Sequence, residues 1–495
     1  MSIAAPTLPA AAEQFLARDS LPAIIGGKAH YGNNDTFATV DPGSGERIAT
    51  VAGMRAVDVD QAVQAAQHAF DAPGWSDLGI AERGALLHRL ADAVEANKEA
   101  IVHIESLDAG KILAQADFDV QMLIDTFRYF ITIAQQVPLQ TPLPVAGHEA
   151  ATVRHPWGPC GFIFPWNFPF LLIGWNIAPA LVAGNTVVIK PAEDTPLSAI
   201  WLAELAREVG IPDGVINVVP GYGHVAGKAL SEHPGLRRMS FTGSPEVGRL
   251  VAESCGRNLV PVKLELGGKG AAVVCEDVDI EATADSLVGA ITFHCGQVCC
   301  DATRWLISDR IYDDFVDACR QRMQGIAIGH PMDAGTQMGP VVNAKQRARV
   351  LGYLEKGVQE GAEALLPGGE AQVSGKKGFY VKPALLAGSL DNSAARDEIF
   401  GPVAYLTRFK DDNQAVALAN STEYGLANSV WTPDVERAHA IARRMRAGNS
   451  WINAHNVFVH GVPYGGIGKS GMGGGVLSVE TYLDYLRPQS VVRPL

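Results

Sequence analysis

Residues 160–244 read CGFIFPWNFPFLLIGWNIAPALVAGNTVVIKPAEDTPLSAIWLAELAREVGIPDGVINVVPGYGHVAGKALSEHPGLRRMSFTGS. Four apolar runs in this stretch, CGFIFP, NTVVIKP, VINVVPG and LRRMSFTGS, are short and bounded by Gly and Pro, as buried strands are. The segments between them, PFLLIGWNIAPALVA, SAIWLAELAREVG and HVAGKALSEH, have helical length and spacing. Strand–helix alternation of this kind predicts βαβ units on a parallel sheet, hence an α/β fold. Such sheets gather ligands at the carboxyl ends of their strands.

Upstream, residues 57–71 and 80–107 carry helical apolar periodicity, and a further helix is predicted from Ile112 to Gln135. Val137–Pro144, VPLQTPLP, breaks that pattern. Downstream of Gly268 a second alternating block begins, with GAAVVCE, RWLISDR, YVKPALL and VAYLTRF as strands. The closing YLDYLRPQSVVRPL reads as a final strand.

The 495 residues exceed one compact core and predict two to four domains. A net charge of −13 argues against nucleic acid and anionic membrane surfaces, which need clustered Lys and Arg. No apolar run has the length of a membrane span, and the start lacks a secretory pattern. Its Ala/Pro-rich beginning is expected to fray. Seven cysteines, an odd number without regular spacing, predict reduced thiols and a cytoplasmic location.

One glycine motif invites a dinucleotide reading. Gly221, Gly223 and Ala226 match G-x-G-x-x-A between a strand and a helix. No acidic residue closes the next strand at the expected distance, so an ordinary turn explains it better. FTGSPEVG, 241–248, is a second strand–helix junction able to hold phosphates.

Three distant segments hold what covalent carbonyl chemistry needs. In PWNFP, 165–169, Asn167 sits between prolines in a rigid turn, where its amide can donate to an oxyanion. In LELGGKG, 264–270, Glu265 ends an apolar strand, where desolvation favours a general base. In FHCGQVCCDATR, 293–304, Cys299 follows a Gly-Gln turn. Singly, each has a plain structural explanation: a turn Asn, a solvated strand-end Glu, a small buried thiol. His294, Cys295 and Cys299 lack the second ligand cluster that zinc would need.

Together these segments resemble the aldehyde dehydrogenase superfamily, on its hydrolytic, NAD-linked branch. The resemblance extends from about Asn34 to the C-terminus and includes VIKPAEDTPLSA (188–199), FTGSPEVG, EIFGPV (398–403) and PYGGIGKSG (463–471). It implies a Rossmann-like NAD-binding domain from 1–133 and 157–267. A catalytic α/β domain would span 268–469, and a small β oligomerisation element 134–156 and 484–495. It implies Cys299 as nucleophile, Asn167 as oxyanion donor and Glu265 as base. Lys190 and Glu193 would hold the adenosine ribose, which favours NAD over NADP because a carboxylate repels a 2′-phosphate. Ser244 would meet the pyrophosphate; Trp166, Glu398 and Phe400 would surround the nicotinamide half. A homodimer or homotetramer is implied.

Two departures stand out. Many relatives carry Lys at the position of Asn176 and Glu at that of Gly475, both near the base, so the proton path behind Glu265 differs here. Positions matching the substrate tunnel, Phe168, Leu172, Trp175, Phe293, Val298, Phe458 and Tyr464, are apolar or aromatic. They imply a hydrophobic aldehyde: aromatic, terpenoid or medium-chain. The alternatives are a coenzyme A-acylating dehydrogenase, a cofactor-free thioesterase, or a non-catalytic protein retaining the fold. Cys300, beside the nucleophile, is expected to be nearly silent on substitution.

Overall fold

The computed structural model describes residues 8–33 and 35–495. Its first sheet has eight strands in the order Lys28–His30, Ala23–Ile25, Ile216–Val218, Thr186–Lys190, Pro159–Ile163, Arg238–Thr242, Val262–Glu265 and Gly471–Met472. The five central strands are parallel, and the flanking pairings are antiparallel. Burial on both faces explains why the central strands read as unbroken apolar runs.

The second sheet orders Glu363–Leu366, Ala384–Ala387, Val403–Phe409, Arg304–Ser308, Ala271–Val274, Ala427–Trp431 and Asn449–Ile452. All its pairings are parallel except the first. The chain crosses from one sheet to the other through Leu266–Gly270, the segment that follows Glu265. A third sheet joins Gln140–Leu143, His148–Pro156 and Leu486–Pro494, with Pro142 on an edge strand that tolerates a missing N–H.

Several local expectations are corrected. The helical stretch 80–107 is two helices, Ile80–Ala96 and Lys98–Ala109, parted at Asn97, whose side chain donates to the Ala93 carbonyl at 2.9 Å. HVAGKALSEH is a single wide turn, Gly223–Gly227, followed by the short helix Lys228–Ser231. Pro383 splits YVKPALL into two strands in different sheets. The final segment is a helix, Val479–Asp484, before its strand, because buried Tyr482 and Tyr485 anchor it to the core. Of the fraying start, residues 1–7 lie outside the described residues, while Ala10–Leu16 is a helix whose Phe15 stacks on Trp201 at 4.8 Å. Among the described residues no helix is long and apolar enough to cross a membrane.

Candidate active site

The order of the parallel strands reverses between Pro159–Ile163 and Arg238–Thr242. Chain leaving the carboxyl ends of neighbouring strands on either side of such a switch diverges and opens a crevice. Here the crevice is a cavity of about 340 Å³, bordered by Pro165–Phe168 on one side and by Thr242–Glu246 on the other. Pro169 starts the helix Pro169–Val182, which is buried along its length and fixes the preceding turn. In that turn Asn167 donates its Nδ2 to the Gln297 carbonyl at 3.0 Å. One amide hydrogen thus orients the group toward the cysteine loop, and the second is left for another acceptor.

The cysteine loop begins where helix Ile280–Thr292 ends. His294, Cys295 and Gly296 have φ of 46°, 56° and 69°. Left-handed backbone costs energy for side-chain-bearing residues, so the surroundings must hold it. Gln297 does so: its Nε2 donates to the His294 carbonyl at 2.9 Å and its Oε1 accepts from the Val342 N–H at 2.9 Å. A Cβ on Gly296 would lie 2.3 Å from the Gly401 backbone, so the loop passes there only as glycine. Of the seven cysteines, Cys299 alone is partly exposed. Its Sγ is 3.4 Å from the Tyr464 hydroxyl. The neighbouring Cys300 thiol holds the Cys299 thiol below its ordinary range; burial opposes this and Tyr464 assists it. Cys300 itself is buried, and Asn456 Oδ1 at 3.3 Å is an alternative acceptor for its single S–H.

Glu265 ends its strand on the same cavity, buried, with neither carboxylate oxygen in a hydrogen bond. Desolvation pushes its pKa well up; Lys263 opposes this and Cys299 adds to it. The two glycines that follow are sterically required. A Cβ on Gly268 would sit 2.4 Å from the Cys299 carbonyl oxygen, and one on Gly267 would sit 2.1 Å from Glu398 Oε2. The Gly-Gly crossover therefore lets the strand carrying Glu265 pass against both the cysteine loop and Glu398.

Phe168, Leu172, Trp175, Val298, Phe458 and Tyr464 make an apolar wall. Trp175 packs on Phe458 and Tyr464 at 5.3 and 5.6 Å, and its Nε1 has no partner. Phe293 stacks on Phe168 at 6.2 Å. The opposite wall is polar, with Ser244, Gln346, Arg349 and Glu398. Ser244 caps the helix Pro245–Arg257, accepting from the Val247 N–H at 3.3 Å. Glu398 accepts from the Gly268 N–H at 2.9 Å, and burial pushes it up to about 7. Phe400 meets the Trp166 ring edge-on at 5.3 Å. Lys190, at the end of its strand, pairs with Glu193 at 3.0 Å, away from the cavity wall.

Residues 30–491 match the profile of the aldehyde dehydrogenase family. The chain belongs to that family. It is 42% identical over 442 residues to retinaldehyde dehydrogenase 3 of Mus musculus, covering 88% of this chain and 86% of the relative. It is 40% identical over 455 residues to the mitochondrial benzaldehyde dehydrogenase of Antirrhinum majus, covering 91% and 84%. The NAD+ complex of aldehyde dehydrogenase from Bacillus cereus superposes with a TM-score of 0.95 at 34% identity, covering 99% of both chains. Thus the α/β fold expected from the sequence is that of NAD-binding aldehyde dehydrogenases.

In this aldehyde dehydrogenase Cys299, Asn167 and Glu265 border one cavity, as do Trp166, Ser244, Glu398, Phe400 and six of the seven tunnel residues. Gln297, Tyr464 as a thiol partner and Arg349 were not singled out as parts of the site. Gln297 lies in the quoted GQ-x-C segment, so its signal was present. Tyr464 and Arg349 carry no local signal, because only folding brings them to the cavity. The Gly221–Gly223 turn offers its Gly223 N–H to Glu193 Oε1 at 3.4 Å, so it supports the Lys190–Glu193 pair.

Proposed function

We propose that this enzyme oxidises a hydrophobic aldehyde, aromatic, terpenoid or medium-chain, to its carboxylic acid with NAD. The observation that carries this reading is one cavity in which an acidified thiol, an oriented amide and a buried carboxylate face an apolar wall. Cys299 attacks the carbonyl carbon as a thiolate. The second N–H of Asn167 donates to the oxygen on which negative charge develops. Bound NAD supplies the hydride acceptor. The Cys299 thioester that remains is hydrolysed by water whose proton goes to Glu265, an oxygen atom free of other partners.

The residues present suit NAD. Beside Lys190 and the Gly223 N–H, Glu193 stays below its ordinary range although burial pushes the other way, so it is an anion. An anion there accepts from a ribose hydroxyl and repels a 2′-phosphate. Ser244 opens a thirteen-residue helix whose N-terminus borders the cavity, a favourable place for a pyrophosphate. Trp166, Glu398 and Phe400 would take the nicotinamide half. Hydrolysis is favoured over transfer to coenzyme A because Glu265 stands free at the thiol. The names of the relatives, benzaldehyde and retinaldehyde dehydrogenases, agree with an apolar substrate.

We assign 1–133 and 157–267 to cofactor binding, 268–469 to catalysis, and 134–156 with 484–495 to assembly of a homodimer or homotetramer. The exposed strand Leu486–Pro494, with Val491 and Val492 outermost, supports the last. Seven free thiols fit the cytoplasm. An aldehyde panel with NAD, NADP and coenzyme A, reading reduced cofactor and identifying the product, tests the reading. It expects free acid, NAD preference, and poor use of succinic semialdehyde; an acyl-CoA product or a semialdehyde preference would refute it.

A further inference from the structure

A buried carboxylate without hydrogen bonds is normally protonated, yet a base must be ionised before it acts. Glu265 therefore needs a counter-charge. Side chains two apart on a strand share a face, so Lys263 lies on the same face of the sheet as Glu265. Lys263 is fully buried. Its Nζ reaches the Gly475 carbonyl at 3.5 Å and stands 5.2 Å from the centre of the Tyr485 ring.

Among the described residues, the neighbouring elements place no other cation against Glu265. Asn176 is spent on its own helix and the adjacent strand: its Nδ2 donates to the Leu172 carbonyl at 2.9 Å and its Oδ1 accepts from Ser240 at 3.0 Å. Gly473, Gly474 and Gly475 leave no room for side chains. Added Cβ atoms would lie 2.2 Å from the Val262 carbonyl oxygen, 2.3 Å from Asp484 Oδ2 and 2.4 Å from the Tyr464 carbonyl oxygen. Asp484 thus occupies the space beside this glycine run, with Arg238 at 3.5 Å from it.

We propose that Lys263 is a positioning residue for the base: its buried ammonium is the counter-charge that favours the carboxylate form of Glu265 against the cost of burial. This rests on the reading of Glu265 as the base. The charged groups facing the pair are Arg238 and Asp484 on the Lys263 side and Cys299 on the Glu265 side. Burial and Arg238 pull the Lys263 ammonium down to about 8, while Glu265 and Asp484 hold it up, so it remains charged at neutral pH.

The test is the pH dependence of steady-state turnover and of the pre-steady-state burst of reduced cofactor, in Lys263→Met and Lys263→Arg. Lys263→Met is expected to keep the burst, to move the acidic limb of turnover up by about one pH unit, and so to lose up to about tenfold in turnover along that limb. Lys263→Arg, which keeps the charge, is expected to restore the wild-type limb. Should Lys263→Met not fold, Lys263→Gln, which is polar and uncharged, carries the same expectation. A folded Met or Gln variant with an unmoved limb overturns the proposal, and so does an Arg variant that fails to restore it. Glu265→Gln run beside them separates the two readings. If it stalls after the burst, the base assignment stands whatever Lys263 does; if it turns over normally, the base assignment and the Lys263 proposal fall together.

Discussion

Glu265 is buried and Glu398 half-buried, and both border one cavity. Glu398 accepts a backbone N–H from Gly268, with Arg349 and Lys269 lowering it further against the larger effect of burial. Glu265 has no hydrogen bond, and a thiol beside it disfavours its charge. The first is a carboxylate committed to a fixed place, suited to holding a ligand hydroxyl. The second has its lone pairs free, suited to taking a proton. The same side chain is sorted into binding or catalysis by what its oxygens already touch.

The largest expected effect removes what both walls serve. Cys299→Ala should lower aldehyde oxidation by at least about a thousandfold while NAD binding, followed by quenching of protein fluorescence, persists. Near-native turnover in that variant would dissolve the comparison, since neither carboxylate would then adjoin the chemistry.

Next, the two carboxylates should fail differently. Glu265→Gln should cut steady-state turnover by about a hundredfold or more and leave a burst of reduced cofactor, because deacylation loses its base. Glu398→Gln should slow the burst itself and raise the KM for NAD, without accumulation of acyl-enzyme. Rapid-mixing absorbance distinguishes them; identical kinetic signatures would erase the distinction. Sign follows from direction. Glu265 is raised, so it is protonated and idle at low pH, and turnover must climb as pH rises through its pKa.

Cys300→Ala has a smaller effect. Cys300 lowers its neighbour's pKa, so its loss should raise that of Cys299. Rates of thiol alkylation measured against pH should show the midpoint moved upward, with a several-fold activity loss at neutral pH recovered in base.

The smallest effect sharpens the apolar wall. Each added methylene in an unbranched aldehyde series should improve kcat/KM about three- to fourfold, from roughly 0.8 kcal/mol per buried CH₂, until the cavity is filled. Trp175→Ala or Phe458→Ala should weaken large aldehydes more than acetaldehyde. A flat series would show that this wall is core and not a tunnel.

Much of this was legible before folding was considered. The apolar runs from Cys160 to Thr242 announce a parallel sheet because strands buried on both faces must be apolar throughout. PWNFP, LELGGK and the cysteine segment are each ambiguous alone, and their order and spacing together carry the resemblance to the family. What sequence could not show depends on contacts between distant segments. Tyr464 reads as tunnel surface, and only folding sets its hydroxyl 3.4 Å from the Cys299 thiol. Lys263 reads as one more strand residue, until the packing of Asp484, Tyr485 and the glycine run buries it beside Glu265. Local sequence determined the fold, and it pointed to Cys299, Glu265 and Asn167 through the order and spacing of three segments. The tertiary structure decided how each is tuned, because a pKa depends on burial and charge from every side, and those come from all parts of the chain.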